Sequence, residues 1–364
     1  MALGPQPSIP LELVPTHLAA GCFERRDGIS AQGRVLVWPS DPVHPQLANL
    51  VAASMAPLAG IVGGAITTTV VRYRPGQRHV LSVDGSCERV FVKVGQPSDV
   101  AIALARAEAI DRILSPLPVR FARVVWASHE WGSVAYGAVP GRPVTDLVRA
   151  AHPGALRALA TAGAVLARMH ASTETGTIAG EQSLVADEVL PRLTATREAS
   201  AVVRAADYVA VLAPAAYDSI RALAAEAESI LTTTDHEAET SLLHHDFKCD
   251  HLLIHRGGLG IIDLDAVAIG DPASDVARLL ADLVWWARPD RRLRLRDAFL
   301  TGYGRCNDTT FFQRVAAWEA LAIIKQAARR ISILDPALIV RLVEQLDAAR
   351  RVLDHSADRQ PAGS

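Results

Sequence analysis

Between residues 67 and 138 the chain places β-branched and apolar residues in short blocks separated by turn residues, and beyond residue 150 the apolar spacing becomes that of helices. Thr67 to Tyr73 is rich in β-branched residues and ends at a Pro75-Gly76 turn, and His79 to Val83 can return beside it. Asp84-Gly85 then turns the chain into Val90-Phe91-Val92-Lys93-Val94, so three antiparallel strands are expected. Ala101 to Leu114 repeats Ile102, Ala105, Ala109 and Ile113 along one side and stops before Pro116, which predicts a helix. Phe121 to Ala127 and Ser133 to Ala138 are two further candidate strands, ended by Pro140-Gly141.

Farther along, Leu156, Leu159, Gly163, Leu166 and His170 fall near one helical face, where His170 reads as a packed, hydrogen-bonded side chain. Helices are also expected from Pro214 to Leu231, Ala273 to Trp286 and Phe312 to Arg330, with a last one starting at Asp335-Pro336 and reaching about Leu353. The pattern therefore predicts an α+β chain. It divides into an N-terminal lobe of residues 1–140, a helical lobe of residues 141–355 and a flexible polar tail of residues 356–364. Residues 1–60 mix prolines with short apolar pieces and define no architecture.

With 364 residues and 50% hydrophobic composition, the chain can bury cores for two lobes. Its 37 Lys and Arg against 39 Asp and Glu give no signal for nucleic acid or an anionic membrane surface. The basic run from Arg288 to Arg296 reads as a solvated surface segment. No stretch suits a membrane span or a secretory leader, and Cys22, Cys87, Cys249 and Cys306 are dispersed without metal-ligand spacing. A cytoplasmic protein with reduced thiols is expected.

The chemistry gathers at Leu242-Leu243-His244-His245-Asp246-Phe247-Lys248-Cys249-Asp250-His251-Leu252-Leu253-Ile254, followed by Ile261-Ile262-Asp263-Leu264-Asp265. Two short apolar strands about the turn His255 to Gly258 would bring Asp246 and His251 back towards Asp263. Phosphoryl transfer needs this division of labour, with one carboxylate orienting the accepting hydroxyl and other ligands holding magnesium against the nucleotide phosphates. Asp246 is the candidate base and Asp263 the candidate principal metal ligand.

His244, Asp246 and the later Asp263, followed by Gly270-Asp271-Pro272-Ala273-Ser274-Asp275, resemble in order and spacing the aminoglycoside phosphotransferase and choline kinase-like family. The resemblance implies the two-lobed protein-kinase-like fold, with a small antiparallel-sheet N-lobe and a mainly helical C-lobe. It also implies ATP, Mg2+ and a small hydroxylated acceptor, whether metabolite, sugar or antibiotic. Lys93 matches the family lysine that contacts nucleotide phosphates, and Glu108 its carboxylate partner, the alternative for Glu108 being an ordinary helical pair with Arg112 four residues later. Lys248 stands where protein kinases also place a lysine; it either neutralises charge on the transferred group or points to solvent. His251 departs from the family, which commonly has Asn there. It can bind metal, orient Asp263 or a metal-bound water, or be a buried hydrogen-bonding residue in a degenerate kinase.

Other positions stay open. No Gly-x-Gly-x-x-Gly loop is present, so Arg78 in the first turn is either a phosphate contact or a surface residue. Val134 to Val139 resembles the hinge between lobes. Asp271 suits a helix cap, Asp275 either supports the catalytic loop or approaches substrate, and Asp265 is either a second carboxylate or solvated. Asp235, Glu237, Glu239 and Asp282 offer acidic charge for a polycationic acceptor, while Trp285 and Trp286 read as packing residues. A nucleotide-binding pseudokinase and a structural interaction protein are the competing readings, and the oligomeric state is left undetermined.

Overall fold

The computed structural model describes residues 27–29, 35–74, 76–172, 189–234, 239–256, 258–305, 308–331 and 335–357. Strands β1 (Asp27–Ile29) and β2 (Val35–Val37) form a small ribbon, followed by helices α1 (Gln46–Ala52) and α2 (Ala59–Val62). The N-lobe sheet comprises β3 (Thr67–Arg74), β4 (Arg78–Asp84), β5 (Arg89–Val94), β7 (Val124–Ser128) and β8 (Ser133–Gly137), antiparallel in the order β3-β4-β5-β8-β7. The period of two in β5 sends Val90, Val92 and Val94 to one face and Phe91 and Lys93 to the other. The valine face packs against Leu47, Leu50, Leu58 and Val62, so the segment whose architecture the sequence left open roofs the outer side of the sheet.

A buried carboxylate ties this roof to the β3–β4 turn. Asp41 accepts from His44 Nδ1 at 2.8 Å and His79 Nε2 at 2.8 Å, and from the backbone N–H groups of Gly76 and Val43 at 2.9 Å each. Burial alone would raise its pKa, but the histidine and backbone hydrogen bonds hold it far below the usual carboxylate range. His79 Nδ1 accepts from Arg74 N–H at 3.3 Å, which leaves the ring proton on Nε2, facing Asp41. A metal on Nε2 would need the opposite tautomer, so we read the trio as a hydrogen-bonded clasp.

Helix α3 (Asp99–Leu114) crosses between the lobes: its Ile110 and Leu114 belong to the C-lobe core. The strand expected from Phe121 to Ala127 is divided. Strand β6 (Arg120–Phe121) runs parallel to β12 (Gly258–Ile261) in the C-lobe, Ala122 N–H donates to the Ile261 carbonyl, and the chain then enters β7. Strands β9 (Arg142–Pro143) and β11 (Leu252–His255) complete that sheet in the order β6-β12-β11-β9, while β10 (Ser241–Leu243) pairs with β13 (Ala268–Gly270).

The helices are α4 (Val144–Arg149), α5 (Gly154–Ala171), α6 (Ala195–Ala205), α7 (Val209–Leu212), α8 (Pro214–Thr233), α9 (Ala273–Trp286), α10 (Pro289–Tyr303), α11 (Thr309–Arg330) and α12 (Leu338–Ala357). The two-lobed α+β arrangement is therefore present. Among the described residues, no helix is long and apolar enough to cross a membrane.

The basic run at Arg288 to Arg296, expected as a solvated surface segment, is solvated only in part and lies at the start of α10. Arg291 donates to the Ala151 carbonyl, Arg292 to the Val284 carbonyl and Arg296 to buried Glu319, while Leu295 enters the core. Helix α10 crosses α5 where Gly163 and Gly302 meet, and a Cβ on Gly302 would collide with the Ala160 backbone. Gly302→Ala is expected to destabilise the protein by about 1–3 kcal/mol, because backbone rather than a flexible side chain must yield. Urea denaturation tests this, and a neutral or stabilising substitution would show that the helices can separate freely.

Candidate active site

The loop after β10 is held by one stripe of α9. Asp275, Arg278 and Asp282 are spaced three and four residues apart and therefore share a helical face. Fully buried Asp275 accepts from His244 N–H at 2.7 Å and His245 N–H at 2.8 Å, and lies 3.4 Å from His170 Nε2. His170 is packed and bonded to Tyr303 Oη at 2.8 Å, as its sequence position implied. Buried Asp282 accepts from Cys249 N–H at 3.0 Å. Between these anchors His245 takes φ +59, a left-handed conformation uncommon for a residue with a side chain. His244 braces the turn, with Nε2 donating to the Ile262 carbonyl at 3.1 Å and Nδ1 accepting from Asp246 N–H at 3.3 Å.

Asp246 is thereby aimed into the cleft with both oxygens engaged. Arg278 Nη2 and Nε lie 2.6 and 3.0 Å from Oδ1, and Lys248 Nζ lies 2.8 Å from Oδ2. Burial would raise the Asp246 pKa, but the positive charges of Arg278 and Lys248 hold it well below the usual carboxylate range. Lys248 is thus turned towards the cleft, and Arg278 is a site residue that the motif alone did not reveal.

The second carboxylate arrives on the returning chain. Asp263 sits at φ +61, just after β12, and its Oδ2 lies 3.3 Å from His251 Nε2. His251 Nδ1 lies 3.0 Å from the Asp246 carbonyl, where it donates its proton. Burial, and then the charge of Lys248, lower the His251 pKa to about 3, so the ring is neutral at neutral pH. Its Nε2 lone pair then faces a carboxylate oxygen, an arrangement a cation can bridge. Ligand atoms from Asp246, His251 and Asp263 all lie within 4.8 Å of one another, so the trio is placed where it could hold a metal ion through carboxylate oxygens and one nitrogen.

Lys93 reaches down from β5 to Asp263 Oδ1 at 2.7 Å and Asp265 Oδ2 at 2.5 Å, with its ammonium 4.8 Å from the Tyr136 ring centre. Arg78 also binds Asp265 Oδ2, at 2.6 Å. The sequence had left both Arg78 and Asp265 undecided. Glu108 stands outside the ion pairs: it is exposed on α3 and, among the described residues, pairs with neither Lys93 nor Arg112. Arg106 is the α3 residue that turns to the site, donating to the Asp265 and Val189 carbonyls. Glu108, two residues farther along, lines the same cavity as Lys93 and Asp265 without entering their ion pairs.

The site thus brings Asp246, Lys248, His251, Asp263 and Lys93 together. A cavity of about 1030 Å³ adjoins it between α3 and the cleft face of the sheet, bounded by Lys93, Val134, Tyr136 and Asp265. Asp271 accepts from Ala273 N–H, Arg314 and Trp318, a structural role at the start of α9.

The sequence profile described as "Phosphotransferase enzyme family" matches residues 70–324. No curated protein sequence matched. Among solved structures, an amicoumacin kinase in complex with AMP-PNP, Ca2+ and Ami superposes with a TM-score of 0.58 at 15% identity, covering 85% of this chain and 96% of that one. The GDP complex of aminoglycoside 2'-phosphotransferase-IIIa gives 0.58 at 16%, over 83% and 99%. A choline kinase from Cryptosporidium parvum gives 0.57 at 9%, over 81% and 90%. At these identities the likeness is one of fold.

Proposed function

The chain belongs to the phosphotransferase enzyme family, and from that premise we propose that it transfers the terminal phosphoryl group of ATP, with magnesium, to a hydroxyl of a small metabolite, sugar or antibiotic. The observation that carries this reading is the convergence of Asp246, His251 and Asp263 within 4.8 Å, beside Lys93. Asp246 orients the acceptor hydroxyl and takes its proton. The hydroxyl oxygen bonds to the γ-phosphorus as the bond to the β,γ-bridging oxygen breaks, and ADP leaves with that electron pair. Lys93 and Arg78 reach the nucleotide phosphates from the N-lobe, and Lys248 offsets charge on the transferred group. Asp263 and His251 would hold magnesium, with Asp265 beside them; bound there, the ion neutralises phosphate charge and fixes the triphosphate geometry.

The amicoumacin and choline kinases among the structural neighbours make antibiotics and small metabolites natural first acceptors to test. The full chain, ATP and magnesium should be incubated with a broad metabolite and antibiotic mixture, and the products searched by mass spectrometry for one added phosphoryl group. Transfer that requires magnesium is the expected result. Magnesium-dependent ATP binding with no phosphorylated product would replace the proposal with a pseudokinase, and absence of nucleotide binding would replace it with a structural role.

A further inference from the structure

We infer that the acceptor is itself an anion, a hydroxylated compound bearing a carboxylate or a phosphate, held by Arg278, Lys325 and Arg329; this rests on the reading of Asp246 as the residue that meets the acceptor hydroxyl. The cations of the cleft fall into two sets. Lys93 and Arg78 bind Asp263 and Asp265, on the side assigned to metal and nucleotide. Arg278 and Lys248 bind Asp246 instead. Helix α11, packed against α9, carries Lys325 and Arg329 four residues apart and so on one helical face, both within electrostatic reach of Arg278.

Among the described residues, positive charge at this end exceeds what its carboxylates balance. Lys325 Nζ lies 2.6 Å from Glu198 Oε1, and Arg278 is committed to Asp246, while exposed Arg329 sits within the electrostatic reach of both acids and of both cations. Partial loss of water around its guanidinium, and then the nearby Arg278, push the Arg329 pKa below its usual value although the residue keeps solvent contact; Lys325 is lowered too, by burial and by Arg329, although Glu198 opposes the shift. Across the cleft, Arg74 of β3 is lowered to about 10 by burial and by its arginine neighbours, Arg329 among them. Gathering like charges in a partly desolvated cleft is unfavourable unless an anion enters between them.

Geometry joins this charge to the chemistry. Any hydroxyl delivered to Asp246 comes beside the Arg278 guanidinium, 2.6 Å from Oδ1. A planar guanidinium matches a carboxylate or phosphate by paired hydrogen bonds, whereas an ammonium group there would meet its own sign. The acids that the sequence offers for a polycation are used elsewhere or lie outside the described residues. Asp282 is buried against Cys249 N–H and Arg330, Glu239 pairs with Arg305, and Asp235 and Glu237 are not described.

The test is a charge-graded acceptor panel with ATP and magnesium: sugar acids, sugar phosphates, neutral sugars, and the cations choline and aminoglycosides. Phosphorylated products should come from the anionic compounds, and the sugar-acid and sugar-phosphate arms distinguish carboxylate from phosphate. With the best acceptor, Arg329→Glu should raise the acceptor KM by about tenfold or more while the ATP KM stays within about twofold. Transfer confined to neutral or cationic acceptors overturns the inference. So does an Arg329→Glu effect that falls on the ATP KM, which would assign the cations to nucleotide phosphate. ATP turnover without any anionic product also overturns it and leaves the kinase reading standing, whereas no ATP turnover removes both.

Discussion

Asp246→Asn is expected to lower kcat by about 10²–10⁴-fold, the range that a positioned acid or base contributes, while the protein remains folded. Asparagine keeps the shape and one acceptor oxygen for Arg278, but it cannot take the hydroxyl proton and it presents an amide to Lys248 or Arg278. Because Arg278 and Lys248 keep the Asp246 carboxyl well below the usual range against the opposing effect of burial, the group is ionised throughout the neutral region. The acid limb of the kcat profile should therefore not reflect Asp246 losing its charge near pH 6. Steady-state kinetics on the acceptor found by the screen, together with circular dichroism of the variant, check both points. Turnover equal to that of the parent protein would remove Asp246 from the mechanism.

Asp275→Asn should act through the fold as well as the rate. The buried carboxylate accepts from two consecutive backbone N–H groups and faces His170, and each hydrogen bond to a charged group contributes about 1.5–3 kcal/mol. An amide nitrogen in place of one oxygen would set donor against donor, so a loss of about 3 kcal/mol in unfolding free energy is expected. The direction with pH follows from linkage. Burial raises the Asp275 pKa, but hydrogen bonding and charge from His170, with help from His244, lower it further, so the folded value lies below the unfolded one. Its contribution is therefore fully present above the unfolded carboxylate pKa and is lost as pH falls through the folded one. The parent and variant stabilities should converge in acid and separate towards neutrality. A variant as stable as the parent at neutral pH would mean that the His244–His245 turn is held by something else.

These expectations draw unequally on the sequence. The separation of Asp246 and Asp263 by two short strands and a tight turn was enough to foresee their meeting, because a hairpin returns the chain beside itself. Strand β5 was legible from its alternation, and α9 was foreseen with the bounds it has. The partner of Lys93 was not legible in this way. The resemblance pointed to Glu108, whereas the lysine meets Asp263 and Asp265, and the α3 residue that bonds to the Asp265 segment is Arg106. Arg278 looked like any helix residue until α9 packed behind the catalytic loop. The strand foreseen across Phe121 to Ala127 failed for a related reason: its apolar pattern is continuous, but two sheets share it.

By itself the amino-acid order determined what depends on neighbours along the chain: the alternation of strands, the spacing of helices, the turn that returns Asp263 towards Asp246, and the motif spacing that marks a phosphotransferase. Tertiary structure decided what depends on residues far apart in number meeting in space. Arg78 binds Asp265 across 187 positions, and Asp41 reaches over 38 to His79. Periodicity encodes which face of an element is apolar, but only packing sets the rotation and height of one element against another, and those choose the partner of each buried charge.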